Sequence, residues 1–116
     1  MLMLLLACTP EPVTSFDSSW TLVWEDEFDG SAGAAPDAAS WTHDVGGDGW
    51  GNDQLEFNTD RTENASLSGS STLLLTALQE EFESNSYTSA RLKSQDLFEQ
   101  EYGRFEASIK LPAGKG

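Results

Sequence analysis

Residues 102–112 read YGRFEASIKLP. From Phe105 to Leu111 apolar residues alternate with polar ones, which is the period-two pattern of a β-strand with one buried face. Pro112 has no amide hydrogen to donate to a neighbouring strand, and residues 113–116 (AGKG) are typical of a turn, so this strand is expected to end there. A chain that stops just after such a core strand is expected to be the first part of a longer domain.

Four other segments are rich in β-forming residues and are separated by turn-forming ones. They are Trp20–Trp24, Leu55–Asn58, Thr72–Leu78 and Tyr87–Lys93. No segment carries a helical stripe of useful length, although the acidic run Glu80–Glu83 allows one helical turn. The pattern predicts an all-β fold, an antiparallel β-sandwich or barrel. Because such sandwiches usually contain seven or more strands, the sandwich is expected to be incomplete in this chain.

Two segments are predicted to be loops. Residues 31–40 are rich in alanine, but Gly33 and Pro36 interrupt any helix long enough to be stable. Residues 44–51 place four glycines and two aspartates around Trp50, and glycine permits the positive φ angles of a tightly curved backbone. We therefore expect a long, structured loop around Trp50.

The charge balance restricts the possible partners. The chain has 116 residues, enough for one domain, and a formal net charge of −14. Arg61 is the only basic residue before Arg91. Such a surface repels phosphate backbones, so no nucleic-acid partner is expected. The negative charge also weakly disfavours sulfated polysaccharides as ligands, whereas neutral polysaccharides are compatible with it. We expect a monomer.

The N-terminal residues indicate export. Residues 1–7 are too short to span a bilayer, but Leu5-Leu6-Ala7-Cys8 is similar to a bacterial lipobox, in which the cysteine thiol receives a lipid. A plain secretory segment or a misplaced start codon are the alternatives. We interpret residues 1–8 as a lipoprotein signal remnant, 9–19 as a flexible tether and 20–116 as the domain. The protein is expected in the bacterial cell envelope, anchored at Cys8, or outside the cell.

Four segments, in order, resemble glycoside hydrolase family 16, the laminarinase-like β-glucanases. They are LVWEDEF (22–28), GWGNDQLEF (49–57), YTSAR (87–91) and the stretch 102–116, so the resemblance covers residues 20–116. It implies a concanavalin-like jelly roll with a sugar-binding cleft across its concave sheet.

The resemblance also implies an enzyme that cleaves internal β-1,3 or mixed β-1,3/1,4 glucosidic bonds. The family retains the anomeric configuration and uses two glutamates from a Glu-x-Asp-x-x-Glu strand. No such sequence occurs in these residues, so no catalytic residue is assigned, and the 116-residue fragment itself is expected to be inactive. The alternatives are a non-catalytic carbohydrate-binding lipoprotein and an enzyme acting on another polysaccharide.

By the same resemblance, four residues are expected to line the sugar cleft. The Trp50 ring can stack on a pyranose, Asn52 and Gln54 can bond sugar hydroxyls, and Arg91 offers a rigid fork of donors. The family usually has glutamate at the position of Gln54. Two structural alternatives stay open: Trp50 as a core aromatic that fixes its glycine loop, and Arg91 paired only with a neighbouring acid.

A structural calcium ion is possible, and no cofactor is required. Related enzymes bind one calcium near the positions of Glu27 and the backbone of Gly69, and carboxylate and carbonyl oxygens suit this hard cation. An ordinary solvated turn is the alternative. Glu25 and Glu27 could share a strand face, but they lie at a strand-to-turn junction and are not assigned a catalytic role.

The remaining candidates are interpreted as structural. Trp20, Trp24 and Trp41 are expected in the core. His43 has no second histidine or available cysteine with which to form a transition-metal site. Asn64 opens an Asn-Ala-Ser glycosylation sequence, which has no expected role in a bacterial lipoprotein.

Overall fold

The computed structural model describes residues 19–113, and this range is built from β-strands joined by turns. It contains no helix, and therefore no helix capable of crossing a membrane. The all-β prediction is confirmed. In chain order the strands are β1 (Thr42–His43), β2 (Glu56–Asn58), β3 (Ala65–Leu67), β4 (Leu73–Leu75), β5 (Leu78–Phe82), β6 (Asn85–Ser89) and β7 (Leu92–Lys93).

The strands form three small sheets. β1 pairs with β7, β3 pairs with β4, and the third sheet has the order β2-β6-β5. Three of these pairings are antiparallel, as predicted, but β2 and β6 run parallel. Parallel neighbours need a long crossover, and the segment between β2 and β6 contains three further strands that provide it.

Side chains of the three-stranded sheet alternate between a buried face and a second face that is partly exposed, although Asn58 on that second face is buried. Phe57 of β2 lies opposite Thr88 of β6, and both belong to the buried face, where Thr88 is fully buried and the Phe57 ring centroid lies 5.1 Å from that of Phe82. Glu56 lies opposite Tyr87, and side chains alternate along a strand, so this pair belongs to the other face.

The interior of the described region is small and partly polar. Ala65 and Leu67 of β3 are its buried apolar residues, and Asn64 is fully buried beside them. The Asn64 amide oxygen accepts hydrogen bonds from the Thr59 hydroxyl at 2.6 Å and from Arg61 Nη2 at 3.0 Å. Its amide nitrogen donates to the Thr76 carbonyl at 3.0 Å and to Thr88 Oγ1 at 3.1 Å. This amide therefore links the 59–64 turn to β6 and to the end of β4. Its burial also makes Asn64 inaccessible for glycosylation in the folded protein.

The ion pair between Arg61 and Glu80 of β5 closes this network. The guanidinium also stacks on the Phe82 ring, with 4.8 Å between its carbon and the ring centroid. Hydrogen bonds from Thr88 and Arg61, together with the charge of Arg61, hold the pKa of the Glu80 carboxyl below its usual value, although desolvation opposes them.

The described residues fall into two units, 25–103 and a second unit comprising 19–24 with 104–113. In the first unit Trp41 has a structural role. Its indole nitrogen donates to Asp26 Oδ2 at 2.6 Å, and its ring stacks on Phe28 with 5.9 Å between centroids. These contacts fix the charged turn that precedes the alanine-rich loop.

The prediction of strands at Trp20–Trp24 and at Phe105–Leu111 is wrong for this structure. Neither segment has a strand partner in the described range, and an extended segment becomes a strand only when its backbone groups pair with a neighbour. Their apolar side chains are largely exposed, with Trp20 at 51 % and Phe105 at 68 %. The expectation that Trp20 is a core residue is therefore also wrong, whereas Trp24 is half-buried.

Two further predictions need correction. The apolar run Thr72–Leu78 is not one strand, because β4 ends at Leu75 and β5 begins at Leu78. The acidic run Glu80–Glu83 forms the end of β5 and the start of the β5–β6 turn rather than a helical turn, and Glu83 has a positive φ of 52° in that turn. Pairing with β6 decides the conformation of the run over its local helix propensity.

Candidate functional site

The loop around Trp50 has an unusual backbone. Gly49, Trp50 and Gly51 have φ angles of 81°, 48° and 81°, three successive residues in the left-handed region. The Gly49 carbonyl accepts hydrogen bonds from the amides of Asn52 at 3.0 Å and Gln54 at 3.2 Å, which closes the turn. Glycine adopts this conformation readily, but a bulky residue does so only when its surroundings hold it. The strain at Trp50 marks this loop as a candidate functional site.

Arg91 lies over the Trp50 ring and provides part of that support. The guanidinium carbon is 4.7 Å from the indole ring centroid, a cation–π contact. Arg91 Nε lies 3.3 Å from Asp44 Oδ2, and Lys93 Nζ lies 2.5 Å from the other oxygen of the same carboxylate. The Asp44 amide also donates to the Arg91 carbonyl at 2.9 Å. The antiparallel pairing of β1 with β7 brings these residues together.

Two interpretations were open for Trp50 and Arg91, a structural role and a role in binding sugar, and each describes part of the observed arrangement. Arg91 is paired with an acid, yet 47 % of its side chain stays exposed, so donors remain for a ligand. Trp50 is half-buried and fixes its loop, and its indole nitrogen is buried without a hydrogen-bond partner among residues 19–113. Because Arg91 covers one face of the indole, a sugar ring can stack only on the other face.

Asn52 and Gln54 extend the site beyond Trp50. Asn52 is exposed, whereas Gln54 is half-buried and lines an open cavity of about 490 Å³. The turn that closes on Gly49 fixes the backbone of both residues. The four predicted substrate-binding residues therefore lie close together. Trp50, Asn52 and Gln54 belong to one loop, and Arg91, just before β7, contacts the Trp50 ring. Their role in binding a sugar stays a prediction.

The structure does not provide a calcium site from Glu27 and Gly69 alone. Both residues are exposed, and the nearby turns are linked by a 2.6 Å hydrogen bond from the Ser71 hydroxyl to Asp29 Oδ1. Calcium binds six to eight oxygens, but residues 19–113 contain no group of three His, Cys, Asp or Glu side chains arranged to hold a metal. The calcium site stays a prediction that requires other ligands, and Cys8 lies outside the described residues.

Sequence reasoning missed Asp44, Glu56 and Tyr87 as members of this region. Asp44 contacts Arg91 across 47 residues of chain, and no local pattern signals such a pairing. Glu56 and Tyr87 meet only because β2 and β6 are parallel. The alternation of each short strand was visible in the sequence, but the register between them was not.

The chain is similar in sequence to several named proteins, although no family model matches it. A β-glucanase of Rhodothermus marinus is 47 % identical over 98 residues, which cover 84 % of this chain and 33 % of that protein. The α subunit of clotting factor G from Tachypleus tridentatus is 35 % identical over 96 % of this chain and 15 % of its own length. A glucan endo-1,3-β-glucosidase of Cryptopygus antarcticus is 32 % identical over 84 % of this chain and 36 % of its own length.

Solved structures of similarly named enzymes also resemble this chain. The laminarinase of Rhodothermus marinus matches 72 % of this chain with a TM-score of 0.68 and 46 % identity, over 33 % of its own chain. An endo-1,3-β-glucanase of Streptomyces sioyaensis matches 72 % of this chain with a TM-score of 0.60 and 34 % identity, over 30 % of its own chain. The chain thus spans about a third or less of the length of these proteins. Along that length its sequence and fold are similar to those of the laminarinase-like β-glucanases of glycoside hydrolase family 16, and it shares part of their jelly-roll fold, as the sequence motifs predicted.

Proposed function

We propose that the full-length protein hydrolyses internal β-1,3-glucosidic bonds of a neutral β-glucan. Residues 44–54 and Arg91 would form part of its glucan-binding surface. Relatives and structural neighbours are named as endo-1,3-β-glucanases or laminarinases. The observation that carries the proposal is the Arg91 guanidinium stacked 4.7 Å from the Trp50 ring centroid.

This arrangement suits a carbohydrate because it combines a rigid aromatic face with fixed polar groups. Protein sites for small ligands commonly join apolar or aromatic surface with a few placed donors and acceptors. Asp44 holds the Arg91 fork by its Nε, which leaves the terminal nitrogens available to donate to sugar hydroxyls. The side chains of Asn52 and Gln54 can each donate and accept.

Within this proposal, residues 19–113 bind and orient the glucan. Retaining glycosidases place two carboxyl groups about 5–5.5 Å apart, one as nucleophile and one as acid and base. We assign neither role to a residue of this chain, because no Glu-x-Asp-x-x-Glu sequence occurs in it. We therefore expect the 116-residue chain alone not to cleave glucan.

The test is hydrolysis by the full-length protein. Reducing ends should be released from laminarin and from mixed β-1,3/1,4-glucan but not from cellulose, and proton NMR should show products that first appear in the β configuration. Arg91→Ala should raise KM, whereas the matched control Arg104→Ala should not, because Arg104 is exposed and paired with Glu106.

Each possible outcome of these binding and hydrolysis assays has a distinct interpretation. Binding of laminarin without any cleavage would overturn the enzymatic proposal in favour of the non-catalytic carbohydrate-binding lipoprotein. Failure both to bind and to cleave a β-glucan would overturn the proposal as a whole. First products in the α configuration would refute the retaining mechanism.

We also propose that Cys8 carries a lipid that anchors the protein in a bacterial cell envelope. The support is the Leu5-Leu6-Ala7-Cys8 sequence alone. Expressed in a bacterium with its own N-terminus, the protein should incorporate labelled palmitate and sediment with membranes. Cys8→Ser should lose the label and leave the membrane fraction. Equal labelling of both forms would refute the anchor.

A further inference from the structure

The Asn85 side chain joins the two sides of the Trp50 loop. Its amide nitrogen donates one hydrogen bond to the Gly47 carbonyl oxygen at 3.3 Å and another to the Leu55 carbonyl oxygen at 3.1 Å. Gly47 precedes Trp50 in the chain and Leu55 follows it. The nitrogen carries two hydrogens, so it can serve both carbonyls at once. Asn85 therefore clamps the loop from a strand that lies outside it.

The chemistry of the two partners fixes the orientation of this amide. Both are carbonyl oxygens, which accept hydrogen bonds, so only the nitrogen of the Asn85 amide can face them without repulsion. Gly47 permits the close approach, because a Cβ there would lie 2.6 Å from Phe57 Cδ2 and closer still to Asn85 Oδ1. The contact thus depends on a glycine in the loop as well as on the asparagine in the strand.

The clamp is the middle of three levels of hydrogen bonds across the loop. At the base, the backbones of Gly46 and Asn58 exchange bonds of 3.0 and 2.8 Å. At the tip, the Gly49 carbonyl closes the turn around Trp50. Asn85 supplies the bonds between these two levels. Its removal should therefore free the tip to move relative to the base.

The strand that carries Asn85 is itself held in place. Asn85 opens β6 and pairs with Phe82, the last residue of β5. The Phe82 ring packs on Phe57 of β2 and contacts the Arg61 guanidinium. The clamp thus acts from a fixed point of the three-stranded sheet.

The loop needs such support because of its backbone. Trp50 has a φ of 48°, and a bulky residue keeps this conformation only when its surroundings impose it. The Arg91 guanidinium contacts the Trp50 ring and so holds the side chain. The Asn85 bonds act instead on the backbone, on both sides of the Trp50 turn. Their loss should let the turn relax into other conformations.

We propose that Asn85 is a positioning residue, whose two hydrogen bonds keep the Trp50 loop in the conformation that binds glucan. Asn85 does not contact the sugar itself. The proposal rests on the proposed function, because it requires a glucan at the Trp50 loop. When only a fraction of the molecules has the binding conformation, the apparent dissociation constant rises by the inverse of that fraction. A loop in this conformation for about one tenth of the time would bind about tenfold more weakly.

The first test is calorimetry of the full-length protein with a thio-linked, non-hydrolysable β-1,3-gluco-oligosaccharide of six units. Asn85→Ala removes both donors and should weaken binding about tenfold, the equivalent of about 1.4 kcal/mol. Asn85→Asp keeps the shape, but a carboxylate cannot donate, so it should weaken binding at least as much. With laminarin as substrate, both variants should raise KM and leave kcat unchanged, because the clamp acts on binding.

Ser86→Ala is the matched control. Ser86 is the next residue of β6, is exposed, and faces the other side of the strand from Asn85, so its replacement should leave affinity unchanged. Circular dichroism should show that each variant keeps the β signal of the wild type. If Asn85→Ala loses that signal, Asn85→Asp decides the question. If both lose it, Asn85 supports the whole fold rather than the loop, and the proposal is wrong.

A double-mutant cycle separates positioning from a general effect on the fold. If Asn85 acts through Trp50, Asn85→Ala should change hexamer affinity less than about twofold in a Trp50→Ala background, because coupled residues are not additive. The same tenfold loss in both backgrounds would show that Asn85 affects binding by another route. That result would overturn the proposal.

Hydrogen exchange tests the clamp without a ligand. The amides of Asn52 and Gln54, which are bonded to the Gly49 carbonyl, should exchange about tenfold faster in Asn85→Ala than in the wild type. The Thr76 amide is bonded to the Asn64 carbonyl outside the loop and should keep its wild-type rate. Equal acceleration of all three amides would indicate general destabilisation and contradict a local clamp.

The outcomes separate this inference from the function on which it rests. Faster exchange in the loop together with weaker hexamer binding supports the clamp. If Trp50→Ala weakens binding but Asn85→Ala does not, the positioning role is wrong and the glucan site stands. If the wild type binds no β-glucan oligosaccharide, the proposed function and the positioning role are both overturned.

Discussion

Replacing Asn64 by alanine should strongly destabilise the fold, because its side chain is a buried junction. The residue is fully buried, and its amide makes four hydrogen bonds, to Thr59, Arg61, Thr88 and the Thr76 carbonyl. A typical intramolecular hydrogen bond contributes about 0.5–1.5 kcal/mol to stability, and a buried group left without a partner costs about 1–3 kcal/mol.

The expected magnitude follows from what each partner retains. Arg61 keeps its hydrogen bond to Glu80, and Thr88 keeps its hydrogen bonds with Glu80 and Arg61. Each of these two side chains therefore loses one hydrogen bond but is not left without a partner. Thr59 loses the acceptor of its hydroxyl, and the Thr76 carbonyl loses the Asn64 amide. Two weakened and two orphaned contacts give a loss of about 3–5 kcal/mol in the free energy of unfolding, a large fraction of the stability of a typical domain.

The assay is urea unfolding of the full-length protein followed by tryptophan fluorescence. Asn52→Ala is the control, because that amide is exposed and its loss should change stability by less than about 0.5 kcal/mol. Combining Asn64→Ala with Thr88→Val should cost less than the sum of the single changes, since the two residues share a network. A loss below about 1 kcal/mol for Asn64→Ala, or strict additivity of the pair, would refute the reasoning.

Two other changes test the packing around the site. The folded state depresses the Glu80 pKa from its ordinary value of 4.5, so this group contributes stability above pH 4.5 that is lost as pH falls through the lower folded pKa. When the pH falls below 4.5, the free energy of unfolding should therefore decrease less in Glu80→Gln than in the wild type. The exposed control Glu81→Gln should behave as the wild type does. Identical decreases for Glu80→Gln and wild type in urea titrations at several acidic pH values would contradict this prediction. A Cβ at Gly47 would lie 2.4 Å from Asn85 Oδ1, so Gly47→Ala should lower the unfolding free energy by about 1–3 kcal/mol by overpacking. Gly33→Ala, where a Cβ meets nothing within 4 Å but φ is 80°, should lose only the about 1–2 kcal/mol that the backbone conformation costs. Unfolding by urea of Gly47→Ala with the stability of the wild type would contradict the steric account.

Local pattern was sufficient where the fold depends on near neighbours in sequence. Alternation in residues 55–58 predicted β2, and the glycines around Trp50 predicted its curved loop. The single strand predicted at Tyr87–Lys93 is instead two strands, β6 and β7, because β6 pairs with β2 and β5 whereas β7 pairs with β1. The motif order also predicted the family, because four segments in register constrain a fold more tightly than the alternation of any one strand.

Pattern failed where conformation depends on distant partners. Residues 105–111 alternate as clearly as any strand, but alternation describes only which face would be buried and does not supply the neighbouring strand. The acidic β5 is a strand because β6 pairs with it, against its local preference. The Asp44 contact with Arg91 and the Asn64 network join residues far apart in sequence, so no window along the chain contains their signal.

The central claim is that the Trp50 loop contacts a β-1,3-glucan, and calorimetric titration of laminarin into wild type and Trp50→Ala tests it most directly. Loss of a stacked aromatic should weaken binding by about 1–3 kcal/mol, on the scale of burying a large side chain. The control Trp20→Ala should bind as wild type does, since Trp20 is exposed and outside the loop. Equal laminarin affinity of Trp50→Ala and wild type would make Trp50 a purely structural residue and would contradict the proposed site.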